Sequence, residues 1–204
     1  MTGASYTAFH GNRRIASGPL RRVALLVKRA IESRAAGAVL IFDDTTGRSV
    51  EIDTRGTDEE VAGRLAQRTA VNECADTDVD IGTPRGRGRP RLGVIAREVT
   101  LLPRHWDWLA TQPGGASVAL RKLVEEARKT HVETDRRRTA LERAYHFMSA
   151  IAGDMPGFEE AMRALFAADE RRLRKWVAPW PADVREHAIA LAYGDRDRAS
   201  ADCW

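Results

Sequence analysis

The chain is poor in cysteine, and its cysteines are not spaced to hold a metal ion. Its 204 residues include only Cys74 and Cys203, which lie far apart and have no CxxC spacing. No histidine is close to either cysteine in the sequence. These absences argue against a disulfide framework and against a zinc site built on thiolates. Because isolated reduced thiols are typical of cytoplasmic proteins, we expect a cytoplasmic location.

Long apolar runs are also missing. Residues 1–20 contain no apolar core of the signal-peptide kind, and the early apolar run 23–27 is followed at once by Lys28 and Arg29. No stretch reaches the roughly 20 consecutive apolar residues that a helix needs to cross a bilayer. We therefore expect neither a secretion signal nor a membrane partner.

The sequence motifs of common enzyme classes are absent as well. No serine has the surroundings of a nucleophile elbow, and no glycine-rich phosphate loop with a lysine precedes a helix. Two acid–histidine pairs have helical i,i+4 spacing, Glu142 with His146 and Asp183 with His187. Such pairs are more often surface contacts than metal ligands. The sequence thus predicts a non-enzymatic protein with no metal and no other cofactor.

What the sequence does contain is a mixture of strand and helix patterns, with enough apolar residues, 43%, to fill a core. In the first third, alternating residues and turn signals predict strands, and three-four apolar spacing predicts helices. The predicted order is ββαββα: a hairpin over 5–18, a helix up to 33, a second hairpin with strands at 38–42 and 49–53, and a helix that opens with a capping box at 57–60.

From residue 103 onward, apolar residues recur with the three-four spacing of an α-helix. Helices are predicted at 103–112, 117–131, 135–152, 157–168, 169–178 and 182–193, separated mainly by proline and glycine. The fold class is therefore predicted to be α+β. The expected parts are an α+β unit at 1–68, an acidic and then arginine- and glycine-rich linker at 69–93, and a helical domain at 94–204 that begins with a strand-helix-helix segment.

The most unusual stretch is a basic tract within that linker, which we call the arginine tract (85–91). Its residues Arg87-Gly88-Arg89-Pro90 resemble the core of an AT-hook, although Gly86 stands where a full hook has proline. Glycine lets a backbone approach the floor of a narrow minor groove, and arginines favour the negative potential of A·T-rich DNA. We expect Arg87 and Arg89 to enter the minor groove and Arg85 and Arg91 to neutralise phosphates; the alternative is a solvated linker that binds nothing.

The segment after the tract looks like a ribbon-helix-helix module, in which two chains each give one strand to a ribbon that enters the major groove. A strand over 95–102 is followed by two helical patterns with a glycine turn between them. The predicted buried stripes are Trp106, Leu109 and Ala110 in the first helix and Leu120, Leu123, Val124 and Ala127 in the second. One chain cannot bury both stripes, so a homodimer is expected. The alternative is a plain strand followed by a helical hairpin.

Two further residues of this segment are predicted to contact DNA. The strand can turn either of its two faces toward the groove. We prefer the register that turns Arg97 toward the groove, because the other register turns Glu98 toward the phosphates. Ser117 would cap the second helix, whose first N–H groups would hold a phosphate. Neither register places a row of polar side chains on the groove side, so both remain open.

Long stretches of the chain also resemble an uncharacterised bacterial family known only as a domain of unknown function. The resemblance covers nearly the whole sequence and carries no activity or site residues with it. The similar stretches are 6–9, 40–44, 88–94, 97–109, 112–117, 147–150 and 153–161.

The sequence therefore predicts a non-enzymatic DNA-binding protein, a regulator or nucleoid-type protein that uses the arginine tract and a dimeric ribbon-helix-helix-like module on A·T-rich DNA. The alternative is a protein-interaction or scaffold module whose basic tract binds an acidic partner, since acids at Glu73, Asp76, Asp78 and Asp80 already precede the tract. Affinity for DNA that falls steeply with salt would separate the two hypotheses.

Overall fold

The computed structural model describes the backbone of residues 4–33, 37–75 and 97–201, and the side chains of 4–33, 37–67 and 97–194. Within these ranges the protein is α+β, as predicted: a three-stranded antiparallel sheet near the N-terminus is followed by a mostly helical remainder. The elements are β1 (Tyr6–His10), β2 (Arg13–Gly18), α1 (Leu20–Glu32), β3 (Val39–Asp43), α2 (Asp58–Ala75), α3 (Pro103–Ala110), α4 (Gly115–Ile151), α5 (Phe158–Phe166), α6 (Glu170–Trp176) and α7 (Ala182–Ala201).

The chain packs as two compact units. The first unit combines Met1–Ala75 with Asp135–Trp204, and the second comprises Asp76–Thr134. Helix α4 gives its first part to the second unit and the remainder, from Asp135, to the first. The predicted domain boundaries at 68 and 93 stay predictions, although α2 continues to Ala75 and so into the predicted linker.

The sheet of the first unit has the strand order β2-β1-β3. Strands β1 and β2 form the predicted hairpin, whose turn contains Gly11 in the left-handed region at φ 57°. Strand β3 pairs antiparallel with the other edge of β1, so that Tyr6 lies opposite Asp43 and His10 opposite Val39. The central strand is thus β1.

The two faces of the sheet contact different helices. Because strand side chains alternate between faces, Ala8 and Ile41 point to one side, where they pack with Val23 and other residues of α1. Phe9 and Phe42 point to the opposite side and join one large core with residues of α4, α5, α6 and α7. The N-terminal sheet and the C-terminal helices therefore share a single hydrophobic core.

The predicted fourth strand is not confirmed. Residues 49–53 form only an isolated bridge between Ser49 and Phe42, together with a hydrogen bond from the Val50 N–H to the Ile41 carbonyl. The chain then leaves the sheet, because the Asp53 carboxylate accepts the Arg55 N–H in a tight turn and Ile52 packs toward α1 and α2 instead. The ββαββα order is therefore incomplete by one strand in the described residues.

The C-terminal helices follow the predicted order, but α7 continues to Ala201, beyond its predicted end at 193, and two predicted helices are joined. Helices α5, α6 and α7 begin within one residue of their predicted starts. The two helices predicted at 117–131 and 135–152 are instead one helix of 37 residues, because no glycine or proline interrupts Val132-Glu133-Thr134. Within the described chain, no helix is both long and apolar enough to cross a bilayer.

Candidate functional site

Most of the residues that we predict to contact DNA lie outside the described residues. Arg85, Arg87, Gly88, Arg89, Pro90 and Arg91 all fall in the interval 76–96, between two described ranges. Arg97 and Ser117 are described, and both belong to the second unit. The AT-hook interpretation of the arginine tract therefore stays a prediction.

Residues 97–102, the described part of the predicted ribbon strand, form no strand with any other described residue. Leu102 has the extended angles φ −67° and ψ 149° and stands directly before α3, which begins with Pro103 as predicted. Arg97 and Val99 are exposed. Because an intersubunit ribbon needs a second chain, neither register of this strand is decided within one chain.

Ser117 does not stand at the N-cap that we predict for it. Helix α4 begins two residues earlier, at Gly115, after a turn in which Gly114 and Gly115 both have positive φ, 89° and 76°. Ser117 is exposed and lies in the first turn of the helix, where backbone N–H groups have no partner inside the helix. Ser117 therefore lies in the first turn of α4 rather than at its N-cap, and its contact with a phosphate stays a prediction.

The second unit leaves much of its apolar surface uncovered. Between α3 and the start of α4 runs a groove of about 260 Å³, lined by Leu101, His105, Trp108, Leu109, Leu120 and Leu123. Leu109 is buried, whereas the side chain of Trp108 is 51% exposed and that of Val124 is 63% exposed. Contiguous exposed apolar surface of this kind marks interaction sites in soluble proteins.

The predicted apolar stripes are therefore only partly buried. In α3, Leu109 is buried, whereas Trp106 is exposed in the single chain, in which the two stripes are not both expected to be buried. In α4, Leu123 and Val124 are exposed, and the small side chain of Ala119 is the buried contact instead. Leu109 and Ala119 are thus the buried apolar residues of these two helical segments, and the other residues of the predicted stripes stay at least partly exposed.

A buried polar network lies within the first unit. His187 of α7 is 6% exposed, and its Nε2 atom is 3.4 Å from Oδ1 of Asp44, which directly follows β3. At this distance and alignment the contact is not a well-formed hydrogen bond. The other carboxylate oxygen of Asp44 accepts a hydrogen bond from Thr7 Oγ1 at 3.0 Å. The network therefore links α7 to β1 and to the end of β3.

Burial and hydrogen bonding have opposite effects on the pKa of Asp44. Partial burial raises the pKa of the carboxyl, but the contacts with His187, Ser5 and Thr7 outweigh that effect and hold it below its usual value. The His187 ring is packed edge-on against Phe147, with ring centroids 4.7 Å apart. Because these side chains form part of the core that joins the sheet to α7, we interpret the network as structural.

Neither acid–histidine pair that the sequence singled out is formed. His146 contacts the guanidinium of Arg48 at 3.3 Å, while Glu142 pairs with Arg138. The carboxylate of Asp183 accepts the backbone N–H of Arg14 at 2.8 Å, and His187 points to Asp44 instead. Among the described residues no group of three histidines, cysteines or acids is placed to hold a metal ion.

Comparison with known proteins identifies one family. No curated protein and no solved structure is significantly similar to the chain. The model of a family described as "Uncharacterized protein conserved in bacteria (DUF2239)" matches residues 5–192, which include the sheet, the second unit and the C-terminal helices. The chain therefore belongs to this uncharacterised bacterial family.

Proposed function

We propose that the chain is a non-enzymatic DNA-binding protein that acts as a homodimer through its second unit. The observation that carries this proposal is the apolar surface around the groove between α3 and α4, where Trp108, Leu123 and Val124 are exposed. A pair of helices with uncovered apolar stripes is what one half of a two-chain module presents before its partner is added. The arginine tract immediately precedes this segment in the sequence.

Each predicted contact residue has a distinct role in this proposal. Arg87 and Arg89 enter an A·T-rich minor groove, where Gly88 lets the backbone approach closely and Pro90 favours an extended chain. Arg85 and Arg91 neutralise phosphates on either side. Arg97 lies on the ribbon, and Ser117 lies in the α4 first turn that faces a phosphate.

We expect the affinity for an A·T-rich duplex to fall steeply with salt. If four or five phosphates are neutralised per chain, the affinity drops by about two to three decades between roughly 50 and 200 mM salt. The variant R87A/R89A should bind at least about tenfold more weakly at low salt. Its slope of log affinity against log salt concentration should also be smaller by about two. The measurement is fluorescence anisotropy with labelled A·T-rich and G·C-rich duplexes.

A matched control removes the same charge elsewhere. Arg171 and Arg172 are exposed residues of α6 in the first unit, so R171A/R172A should leave duplex binding nearly unchanged. Equal loss in both variants would mean that net charge alone, rather than the arginine tract, binds DNA. Absence of duplex binding by the wild-type protein at low salt would overturn the proposal and favour the alternative, a module whose basic tract binds an acidic protein.

The proposed dimer has its own test in Val124. A glutamate in place of this exposed valine adds a charge that a dimer interface would have to bury, which costs several kcal/mol. We expect V124E to be a folded monomer by sedimentation, whereas V132E, the same change at an exposed valine about 80° further round the helix, should remain dimeric. A wild-type protein that is monomeric at all accessible concentrations would contradict the dimer.

A further inference from the structure

The first unit exposes a pair of aromatic rings on its surface, which we call the aromatic patch (Tyr145 and Phe166). Phe166, the last residue of α5, is 61% exposed, and Tyr145 of α4 is 38% exposed. Their ring centroids lie 5.5 Å apart with an interplanar angle of 48°. Aromatic rings of this size are normally covered in a folded domain, because each one buries a large apolar area. Two of them left side by side in solvent form a surface that a flat ligand can contact.

Two guanidinium groups lie beside the aromatic patch. The ring of His146 is 5.3 Å from that of Tyr145, and Arg48 reaches the same histidine at 3.3 Å. The guanidinium of Arg137 contacts the carbonyl of Ala168, two residues beyond Phe166 in the chain. Both arginines are exposed. Two cationic side chains, one from the turn after β3 and one from α4, therefore contact residues that adjoin the aromatic rings in the chain.

These two arginines have no acidic partner within the described residues. In the described part of the chain, Arg48 hydrogen-bonds to His146 and within its own turn, and the guanidinium of Arg137 hydrogen-bonds to a backbone carbonyl. Glu142, an acid on the neighbouring part of α4, is already paired with Arg138. Arg163 of α5, by contrast, is paired with Glu159 and Glu160. Positive charge beside the patch is therefore available to an anionic ligand.

From this juxtaposition we propose that the aromatic patch, with Arg48 and Arg137, binds unpaired nucleotides of a single-stranded nucleic acid. Nucleic-acid bases stack on exposed aromatic rings whatever their sequence, and guanidinium groups next to the rings contact the phosphates that the bases carry. A duplex cannot use such a patch, because its bases are already stacked on each other. The surface therefore differs in ligand from the duplex-binding surface proposed for the arginine tract and the second unit, and it does not depend on that proposal.

The test compares two oligomers that have the same phosphates. A short labelled oligothymidylate and an abasic oligomer of equal length meet the same positive charges, so any contribution of the arginine tract cancels in the ratio of their affinities. We expect the full-length protein to bind the oligothymidylate at least about tenfold more tightly, the lower end of the range for base stacking. The variant Y145A/F166A should bind both oligomers equally.

Three further variants make the result decisive. Y145L/F166L keeps apolar side chains at both positions, so it keeps the fold if the alanine variant loses it, and it should still lose the preference for bases. W106A removes an exposed aromatic ring from the second unit and should keep that preference. R48A/R137A should weaken binding of both oligomers and reduce the salt slope. Equal affinity of the wild-type protein for the two oligomers, or an unchanged ratio in Y145L/F166L, would overturn the proposal.

Discussion

Replacing Gly47 with alanine is expected to destabilise the first unit by about 4 kcal/mol, through left-handed strain of about 1–2 kcal/mol and overpacking of about 1–3 kcal/mol or more. Gly47 ends the turn after β3 at φ 68°, and its N–H donates to the Asp43 carbonyl at 2.7 Å. A Cβ atom there would stand 1.8 Å from the backbone carbonyl oxygen of Arg143 in α4. Since that oxygen belongs to a helix backbone, the turn itself has to move.

Gly11 supplies the matched control for this prediction. It has nearly the same backbone conformation, φ 57°, but a Cβ atom at Gly11 would meet no other atom within 4 Å. G11A therefore measures the left-handed strain alone, about 1–2 kcal/mol, and the difference between the variants measures the contact with α4. Urea denaturation followed by circular dichroism gives both values. Equal destabilisation in the two variants would show that the turn does not rest on α4 in solution.

Replacing Phe147 with alanine is expected to cost about 4 kcal/mol, in the middle of the range for buried phenylalanine. Phe147 of α4 is fully buried, and its ring lies 5.3 Å from that of Phe9 and 4.9 Å from that of Phe42. Those two residues belong to β1 and β3, so the cavity opens between the N-terminal sheet and the C-terminal helices. Both parts should therefore lose stability together.

Hydrogen exchange measures this coupling directly. In F147A the amides of β1, β3 and α7 should lose protection in parallel, because they enclose the same core. F166A, a change at an exposed phenylalanine, should cost less than about 1 kcal/mol and leave these amides protected. Protection that is lost in α7 but kept in β1 would mean that the sheet folds as an independent domain.

Local patterns predicted much of the secondary structure. The turn at Gly11-Asn12, the three-four spacing that forms α1, and the prolines and glycines that separate α5, α6 and α7 act over a few residues, so their effects can be read in order along the chain. The capping box also forms, since the Thr57 N–H donates to Glu60 Oε2 at 2.7 Å and the Glu60 N–H to Thr57 Oγ1 at 3.2 Å. In each case the determining contacts are local.

The candidate functional surfaces were predicted less completely. The exposure of apolar residues in α3 and at the start of α4 is expected from the sequence, because one chain cannot bury both predicted stripes. The sequence does not predict the aromatic patch, because Tyr145 and Phe166 belong to different helices. The spacing of apolar residues in each helix does not mark either ring as exposed. Nothing in the sequence around Arg48 indicates its contact with His146, which lies nearly 100 residues away along the chain.

The sequence by itself determined the class of fold, most of the helix and strand positions, and the concentration of arginines before an apolar segment. Only the tertiary structure decided that β3 pairs with β1, that residues 49–53 leave the sheet, and that Phe9 and Phe42 share a core with Phe147. The physical reason is that turns, caps and helical periods depend on neighbours within a few residues. Strand pairing and core packing depend instead on which apolar faces, distant along the chain, can cover one another.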